Sequence, residues 1–438
     1  MVEINNGAER TNRKSESGVM QGNLGSCLCL SGGGFRATLF HLGVLTRLNE
    51  LGVLSTITTF SSVSGGSILN GFLACNWDKL EASPDGVFKN FTDVIVEPDR
   101  RVCAKDLRTA RLLGVRLNPK NWISLLRDRM SVSANFLAEA YEPVFSKKLS
   151  ELPQNGPRFI FCATNVLTGA CWHFHGGLVA RMGDFYTGYC DATAVRVSDA
   201  VAASSAFPPG FSALKLSVPA KTEFSRTDPW GELRVVSAKR GASTSLTATK
   251  IFLTDGGVYD NLGVEPVWKS YKTLLVSDAG RPFGAAIKCD AGAIRRLSRA
   301  SEISMEQVAA VRKRWLVDQF LSTNRFGTLW TLNTRLGDFP LPEKTGYGPE
   351  AARLIQAVRT DLDAFTQGEI ACLENHGYSL SDAAVRSYAS QLCKKSDAPF
   401  RWPSEVLSSD ERACDSLKTS HRRKVIRDIF RYLSGLFA

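Results

Sequence analysis

The most constraining feature of the sequence is an alternation of short apolar runs and helical patterns between residues 26 and 73. Ser26–Ser31 is a short apolar run that precedes three glycines, and Ala37–Leu51 carries leucines at helical spacing. A second strand-like run, Ile57–Val63, is followed by a helical pattern at Ile68–Leu73. Such alternation indicates a three-layer α/β/α sandwich with a mainly parallel sheet covered by helices.

The pattern of apolar and charged residues changes in the second half of the sequence, and this change predicts the domain organisation. Three further apolar runs (Arg158–Thr164, Ile251–Asp255 and Thr273–Asp278) predict additional strands, whereas long charged helical patterns dominate after about residue 287. We therefore predict four segments: a flexible N-terminal segment at 1–24, the main α/β domain at 25–287, a helical C-terminal extension at 288–395, and a linker with a basic amphipathic tail helix at 396–438.

Composition and charge restrict the class of protein and its partners. With 44% hydrophobic and 22% charged residues the chain resembles an ordinary globular protein, and no run approaches the roughly 18 apolar residues of a membrane span. The formal net charge of +11 suits an anionic partner, either nucleic acid or an acidic lipid surface. Eleven cysteines without framework spacing favour buried thiols in a reducing compartment, so we expect a cytoplasmic location.

One local cluster raises the question of a metal. Cys171, His173 and His175 alternate along a predicted strand, which would place all three side chains on one face. A zinc site usually requires a fourth ligand, and none is nearby in the sequence. We therefore expect no metal and no cofactor.

The segment Ser62–Gly66 carries the candidate nucleophile. A serine nucleophile at a tight strand-to-helix turn needs small neighbours at minus two and plus two, and only Ser64 among the nearby serines has them. Gly65 supplies an unobstructed amide beside the nucleophile, where it would contact bound substrate. Ser62 replaces the glycine that is usual at minus two. A plain Ser/Gly turn between strand and helix is the alternative interpretation.

Three consecutive glycines, Gly32, Gly33 and Gly34, precede the first predicted helix. Their amides can point at a developing negative charge, as an oxyanion hole requires. A phosphate-binding P-loop would need a lysine that is absent here. The spacing is close to a dinucleotide-binding loop, but the next strand then should end in an acidic residue and instead leads to Ser64.

Asp255 stands at the end of a predicted strand and is followed by Gly256 and Gly257. In parallel sheets, functional groups gather at the carboxyl ends of strands, so we expect Asp255 to meet Ser64 and the three glycines. A simple strand-terminating turn is the alternative.

Taken in this order, these motifs resemble the patatin-like phospholipase family, and the resemblance extends from about residue 25 to 287. The matching segments are the glycine loop Gly32–Arg36, the nucleophile motif Ser62–Gly66, the D-G-G motif Asp255–Gly257, the A-S-S-A-x-P segment Ala203–Pro208 and the A-T-N-x-x-T-G segment Ala163–Gly169. The resemblance implies a phospholipase A-type serine hydrolase that cleaves fatty acyl esters of membrane lipids. It implies a Ser64–Asp255 dyad without histidine, and an oxyanion hole at the glycine loop.

Several functional alternatives remain beside this expectation. A Ser-Asp-His order would require His376 or His421, which lie among charged residues in surroundings expected to be exposed. Arg36 would bind a lipid phosphate by resemblance to cytosolic phospholipases, or would make a structural salt bridge at the helix start. The chain could instead be a lysophospholipase, a neutral-lipid esterase, a ligand-activated lipase effector, or a catalytically silent lipid-binding module.

The expected partners follow from charge and resemblance together. We expect a phospholipid or other acyl lipid as substrate, and no nucleic acid. The tail at Lys418–Phe437 has apolar residues at helical intervals with basic residues between them. Such a helix could lie on an anionic membrane, at the inner membrane surface, or pack against its own domain. The oligomeric state is not predicted.

Overall fold

The computed structural model describes residues 25–106, 132–177, 179–208, 210–219, 222, 224–225, 250–284, 293–418 and 420. The predicted flexible segment at 1–24 and nearly all of the predicted tail helix lie outside these residues. The structural statements below apply to the described ranges.

The centre of the molecule is a mixed sheet of ten strands within the described residues. They are β1 (Ser26–Leu30), β2 (Ile57–Val63), β3 (Arg158–Asn165), β4 (Ala170–Gly176), β5 (Arg181–Asp184), β6 (Gly188–Asp191), β7 (Leu214–Ser217), β8 (Lys250–Asp255), β9 (Thr273–Asp278) and β10 (Phe326–Thr331). The main path runs β10-β9-β1-β2-β3-β4-β5-β6. Strands β10 to β3 along this path are parallel, and β3 to β6 form an antiparallel meander. The prediction of a mainly parallel α/β sheet is confirmed.

Helices cover the sheet. They are α1 (Gly34–Glu50), α2 (Gly65–Asn76), α3 (Glu97–Cys103), α4 (Val132–Tyr141), α5 (Val197–Ser205), α6 (Gly257–Asp260), α7 (Ala293–Leu321), α8 (Pro349–Ala357), α9 (Gln367–Tyr388) and α10 (Asp410–Leu417). A π-helical turn at Thr92–Val96 precedes α3.

The alternation of side chains along β1 explains why the sheet is buried on both faces. Successive side chains of a strand point to opposite faces, so Leu28 and Leu30 join the core beneath α1, whereas Cys27 and Cys29 face the opposite core. That second core includes Leu316 of α7. All five residues of β1 are buried, as expected for a central strand of a parallel sheet with two covered faces.

The region predicted as a helical extension shares the same sheet and the same core. It contains a strand, β10, that the sequence did not indicate and that pairs in parallel with β9. The backbones of α9 and α1 are in direct contact where the two helices cross. A Cβ on Gly43 or Gly377 would lie 1.9 Å from a carbonyl oxygen of the other helix. The helical C-terminal region is confirmed, while the boundary at residue 287 stays a prediction.

The register of β3 brings the two candidate catalytic strands together. β4 pairs with one side of β3 along almost its whole length, so both β2 and β8 lie on the other side. β2 pairs as far as Val63 with Cys162, and Ser64 then leaves the sheet. From the next residue of β3, Ala163, β8 takes its place, with Asp255 as the partner of Ala163. The carboxyl ends of β2 and β8 therefore meet head to head.

This arrangement corrects one part of the prediction. Asp255 was expected at the end of a strand parallel to β2, but β8 is antiparallel to β3. The reason is that β8 forms an antiparallel pair with β7. β8 therefore runs from the carboxyl edge of the sheet toward its centre, opposite in direction to β3. The convergence that the sequence predicted is nevertheless present in space.

Candidate active site

Ser64 occupies a strained turn between β2 and α2. Its backbone has φ 51° and ψ −119°, and it is one of two non-glycine residues with positive φ in the described chain. Its N–H donates to the Ser204 hydroxyl at 2.9 Å. Cβ atoms on Gly65 and Gly66 would lie 2.0 Å and 2.4 Å from the carbonyl oxygens of Gly34 and Leu30. This is the geometry of a nucleophile elbow, in which small neighbours allow the turn to pack tightly.

The glycine loop lies directly beside this turn. A Cβ on Gly32 would be 2.9 Å from the Ser64 Cβ. The Gly32 N–H already donates to the Asn261 carbonyl at 3.1 Å. Gly33 and Gly34 have φ values of 149° and 57°, which favour glycine, and their N–H groups donate to no acceptor within the described ranges. Two of the three predicted donors are thus free to bind an anionic oxygen.

Asp255 is almost fully buried, with 1% exposure, and its carboxyl is close enough to the Ser64 hydroxyl to be influenced by it. Its Oδ1 accepts the Gly257 N–H at 2.7 Å. Its Oδ2 has no hydrogen-bond partner within the described residues. Burial raises its pKa to about 7, while the Gly257 N–H and the Ser64 hydroxyl lower that pKa. The two side chains are therefore near neighbours whose hydrogen bond is not closed in this conformation.

The segment that ends α5 ties the two halves of the site together. The Ser204 hydroxyl accepts the Ser64 N–H and donates to the Cys162 carbonyl at 2.6 Å. The Asp255 N–H donates to the Ala206 carbonyl at 3.1 Å. In the sequence, this segment was only one of the motifs that carry the family resemblance. Its hydrogen bonds show that it positions the backbone of both Ser64 and Asp255.

Asn261 is a neighbour of the site that sequence reasoning missed. Its side-chain amide lies within 3.0 Å of the points where Gly32, Gly257 and Gly280 would carry a Cβ. These glycines follow β1, β8 and β9, so three strand-end loops leave room for one side chain beside Ser64. The amide makes no hydrogen bond to a described residue. The spacing of Asn261 after the D-G-G motif was the one signal that could have identified it.

The four histidines of the described residues are all buried. His41 in α1 lies 2.9 Å from the Ser277 hydroxyl and 3.0 Å from the Ser31 carbonyl, and burial lowers its pKa to about 4. His376 was expected to be exposed, but it is buried because α9 packs against α1, and its Nε2 lies 2.9 Å from the Leu332 carbonyl. Its pKa is also lowered to about 4. Neither ring contacts Asp255, and His421 lies outside the described residues.

The cluster on β4 is likewise buried. The His173 Nδ1 lies 3.2 Å from the Tyr189 hydroxyl, and the rings of His173 and His175 pack edge to face. Burial lowers the pKa of both histidines. Cys171 contributes to the core on its face of the sheet. Across the ranges that the structure describes, no group of three or more potential ligands could hold a metal ion.

Arg36 is buried behind the glycine loop rather than in the crevice. Its guanidinium donates to the carbonyl oxygens of Ala279 at 2.9 Å and Val358 at 3.1 Å. Burial and the nearby positive charge of Arg281 lower its pKa to about 10, and the Asp278 carboxylate offsets part of this shift. In this conformation its guanidinium is held on backbone carbonyls and forms no salt bridge with a described residue, so it takes neither of the two expected roles. It connects the loop after β9 to the C-terminal region.

The chain is similar in sequence to one protein family and in structure to solved proteins. The family described as patatin-like phospholipase matches residues 28–268. Human GIVD cytosolic phospholipase A2 aligns with a TM-score of 0.42 and 13% identity, over 92% of this chain and 63% of that chain. VipD from Legionella pneumophila aligns with a TM-score of 0.31 and 15% identity, over 83% of this chain and 67% of that chain. No curated protein matches in sequence. Among the helices of the described chain, none combines the length and hydrophobicity that crossing a membrane requires.

Proposed function

We propose that this chain, which belongs to the patatin-like phospholipase family, is a serine acyl hydrolase that cleaves fatty acyl esters of membrane lipids. The family implies a lipid substrate. Hydrolysis of the phospholipase A type, with Ser64 as nucleophile and Asp255 as its base, is the finer part of the proposal.

The observation that carries the proposal is the free Oδ2 of Asp255 beside Ser64 at the head-to-head ends of two strands. An ordinary aspartate is a weak base at neutral pH because its pKa is far below 7. With a pKa of about 7, Asp255 is a stronger base and is still partly ionised near neutral pH. The raised pKa would therefore allow Asp255 to act as the base without a histidine partner.

The reaction would proceed in two stages. The Ser64 Oγ attacks the ester carbonyl carbon as its proton passes to Asp255, and the carbonyl oxygen becomes negatively charged. When the tetrahedral intermediate collapses, the ester C–O bond breaks and the alcohol leaves with the proton from Asp255. Water then attacks the acyl-enzyme and gives a proton to Asp255. Ser64 recovers that proton as the fatty acid departs.

The charged oxygen needs donors that are oriented before reaction. The N–H groups of Gly33 and Gly34 are the proposed oxyanion hole, since the Gly32 N–H is occupied by Asn261. Losing one such donor typically costs about 2.7–4 kcal/mol of barrier. The Gly65 amide follows the nucleophile and would contact the same substrate. Arg36 is left out of the proposed machinery because its guanidinium is buried on backbone carbonyls.

The proposal is tested by release of fatty acid from phospholipid vesicles. Ser64→Ala and Asp255→Asn should each abolish release, whereas the exposed controls Ser396→Ala and Asp397→Asn should retain it. Turnover by well-folded Ser64→Ala would overturn the proposal. Reaction of the wild type with a fluorophosphonate without turnover would indicate a lipase that needs an activator. No reaction would favour a lipid-binding module.

A further inference from the structure

Two hairpin turns on the antiparallel side of the sheet carry large apolar side chains at their tips. The β3–β4 turn reads Asn-Val-Leu-Thr-Gly over 165–169, and the β5–β6 turn reads Asp-Phe-Tyr-Thr-Gly over 184–188. Val166, Leu167, Phe185 and Tyr186 are 51%, 54%, 47% and 66% exposed. We call these four residues the apolar tips. Hairpin turns usually present polar residues or glycine, so two adjacent turns with exposed apolar pairs need an explanation.

The apolar tips are held together by one buried carboxylate. The Asp184 Oδ2 accepts hydrogen bonds from the Asn165 amide at 2.7 Å and the Thr168 hydroxyl at 2.8 Å. Its Oδ1 accepts the backbone N–H groups of Tyr186 and Thr187. Asp184 itself is fully buried. Asp184 therefore ties the two turns together through its hydrogen bonds, and the four apolar side chains beside it are left exposed.

The apolar tips lie at the same edge of the sheet as the candidate nucleophile. Ser64 is level with Ala163 of β3, and Val166 is three residues further along, or about 10 Å beyond. The β5–β6 turn lies at the same edge because β5 runs in the direction of β3. Phe207, another exposed aromatic residue, follows the residue whose carbonyl accepts the Asp255 N–H.

The chemistry of this edge matches a phospholipid surface. The turn residues 166–169 and 185–188 contain no charged side chain. A tyrosine at such a tip has an apolar ring and a polar hydroxyl, a combination that is enriched at membrane interfaces. Lys250 is exposed at the outer end of β8, which pairs with β3 just below the tip. An apolar tip beside a cation can place acyl chains and lipid phosphate at once.

We infer that the apolar tips insert into the surface of a phospholipid bilayer and bring the site edge of the sheet against its substrate. This inference rests on the proposed function, because it identifies the occupant by the lipid on which the site would act. Binding by insertion differs from attraction of the chain's +11 charge to an anionic surface. Insertion persists on zwitterionic vesicles and at high salt, whereas charge attraction is screened.

The test uses the full chain with Ser64→Ala, so that binding is measured without hydrolysis. Co-sedimentation with phosphatidylcholine vesicles, and with vesicles that also contain phosphatidylglycerol, compares this protein with a version that adds Leu167→Asp and Tyr186→Asp. Both added changes are at exposed tips and should not disturb folding. The matched control is Leu321→Asp. Leu321 is 80% exposed, ends α7 and shortly precedes the amino end of β10, so it lies at the edge of the sheet opposite to the apolar tips.

The expected result is vesicle binding that is weakened roughly tenfold or more by the double tip variant and unchanged by Leu321→Asp. Binding to phosphatidylcholine should persist in ~0.5 M salt. Equal binding by the tip variant, or failure of the parent to bind vesicles, would overturn the inference. So would a change confined to the oligomeric state in sedimentation velocity, which would assign the tips to contact between copies. Hydrolysis of a soluble short-chain ester by the Ser64-containing protein tests the proposed function separately.

Discussion

Replacing Asp255 with asparagine should stabilise the protein in a pH-dependent way while abolishing its activity. Burial raises the pKa of Asp255 from 3.8 to about 7. In the unfolded chain this carboxyl ionises above 3.8, whereas in the folded protein it stays protonated until about pH 7. Ionisation therefore favours the unfolded state, and the wild type loses stability as the pH rises through this window.

The size of the effect follows from the same two values. A rise in pKa from 3.8 to about 7 corresponds to about 4 kcal/mol at pH values above both. Asparagine has no charge to desolvate, and its side-chain oxygen can still accept the Gly257 N–H. Relative to wild type, Asp255→Asn should thus gain almost nothing near pH 4 and up to about 4 kcal/mol at pH 8.

Urea unfolding at pH 4, 5, 6, 7 and 8 measures the free energy of unfolding of the wild type and Asp255→Asn across this range. The exposed Asp397→Asn serves as control and should show no comparable trend. A difference between wild type and Asp255→Asn that stays constant with pH, or one that shrinks as the pH rises, would refute the reasoning. Either result would mean that Asp255 is not held in its protonated form by burial.

Three further substitutions test the packing of the site. Gly65→Ala should lower kcat at least roughly a hundredfold, because its Cβ would lie 2.0 Å from the Gly34 carbonyl and must displace the oxyanion loop; ester hydrolysis measures this, and near-normal turnover would contradict it. Ser204→Ala removes the acceptor of the Ser64 N–H and should cost about 1–3 kcal/mol in urea unfolding; an unchanged midpoint would show that another acceptor replaces it. Asn261→Ala should reduce kcat/KM roughly tenfold with little change in unfolding free energy, whereas equal losses in stability and activity would indicate only a structural role.

The local motifs of the site were predictable because their chemistry is set by neighbours in sequence. The strained turn at Ser64 needs small residues at fixed positions, and the loop at Gly33 and Gly34 uses backbone angles that favour glycine. Each signal is contained in a few consecutive residues. The alternation of apolar runs likewise predicted the parallel strands and their covering helices.

Features that depend on distant parts of the chain were not predictable from these patterns. The direction of β8 follows from its pairing with β7 and β3, and neither pairing can be predicted from the residues of β8 alone. Arg36 was interpreted from its position in the glycine loop, but Val358, more than 300 residues away, provides one of its acceptors. His376 follows a charged helical pattern in sequence and is buried only because α9 meets α1.

Ser64 is the centre of the proposed mechanism, and one measurement tests it most directly. The protein is treated with a fluorophosphonate, digested, and analysed by mass spectrometry to identify the modified residue. The proposed mechanism predicts modification at Ser64 in the wild type, with a rate roughly a hundredfold or more lower in Asp255→Asn. Modification of a different serine, or an equal rate in Asp255→Asn, would contradict the Ser64–Asp255 dyad.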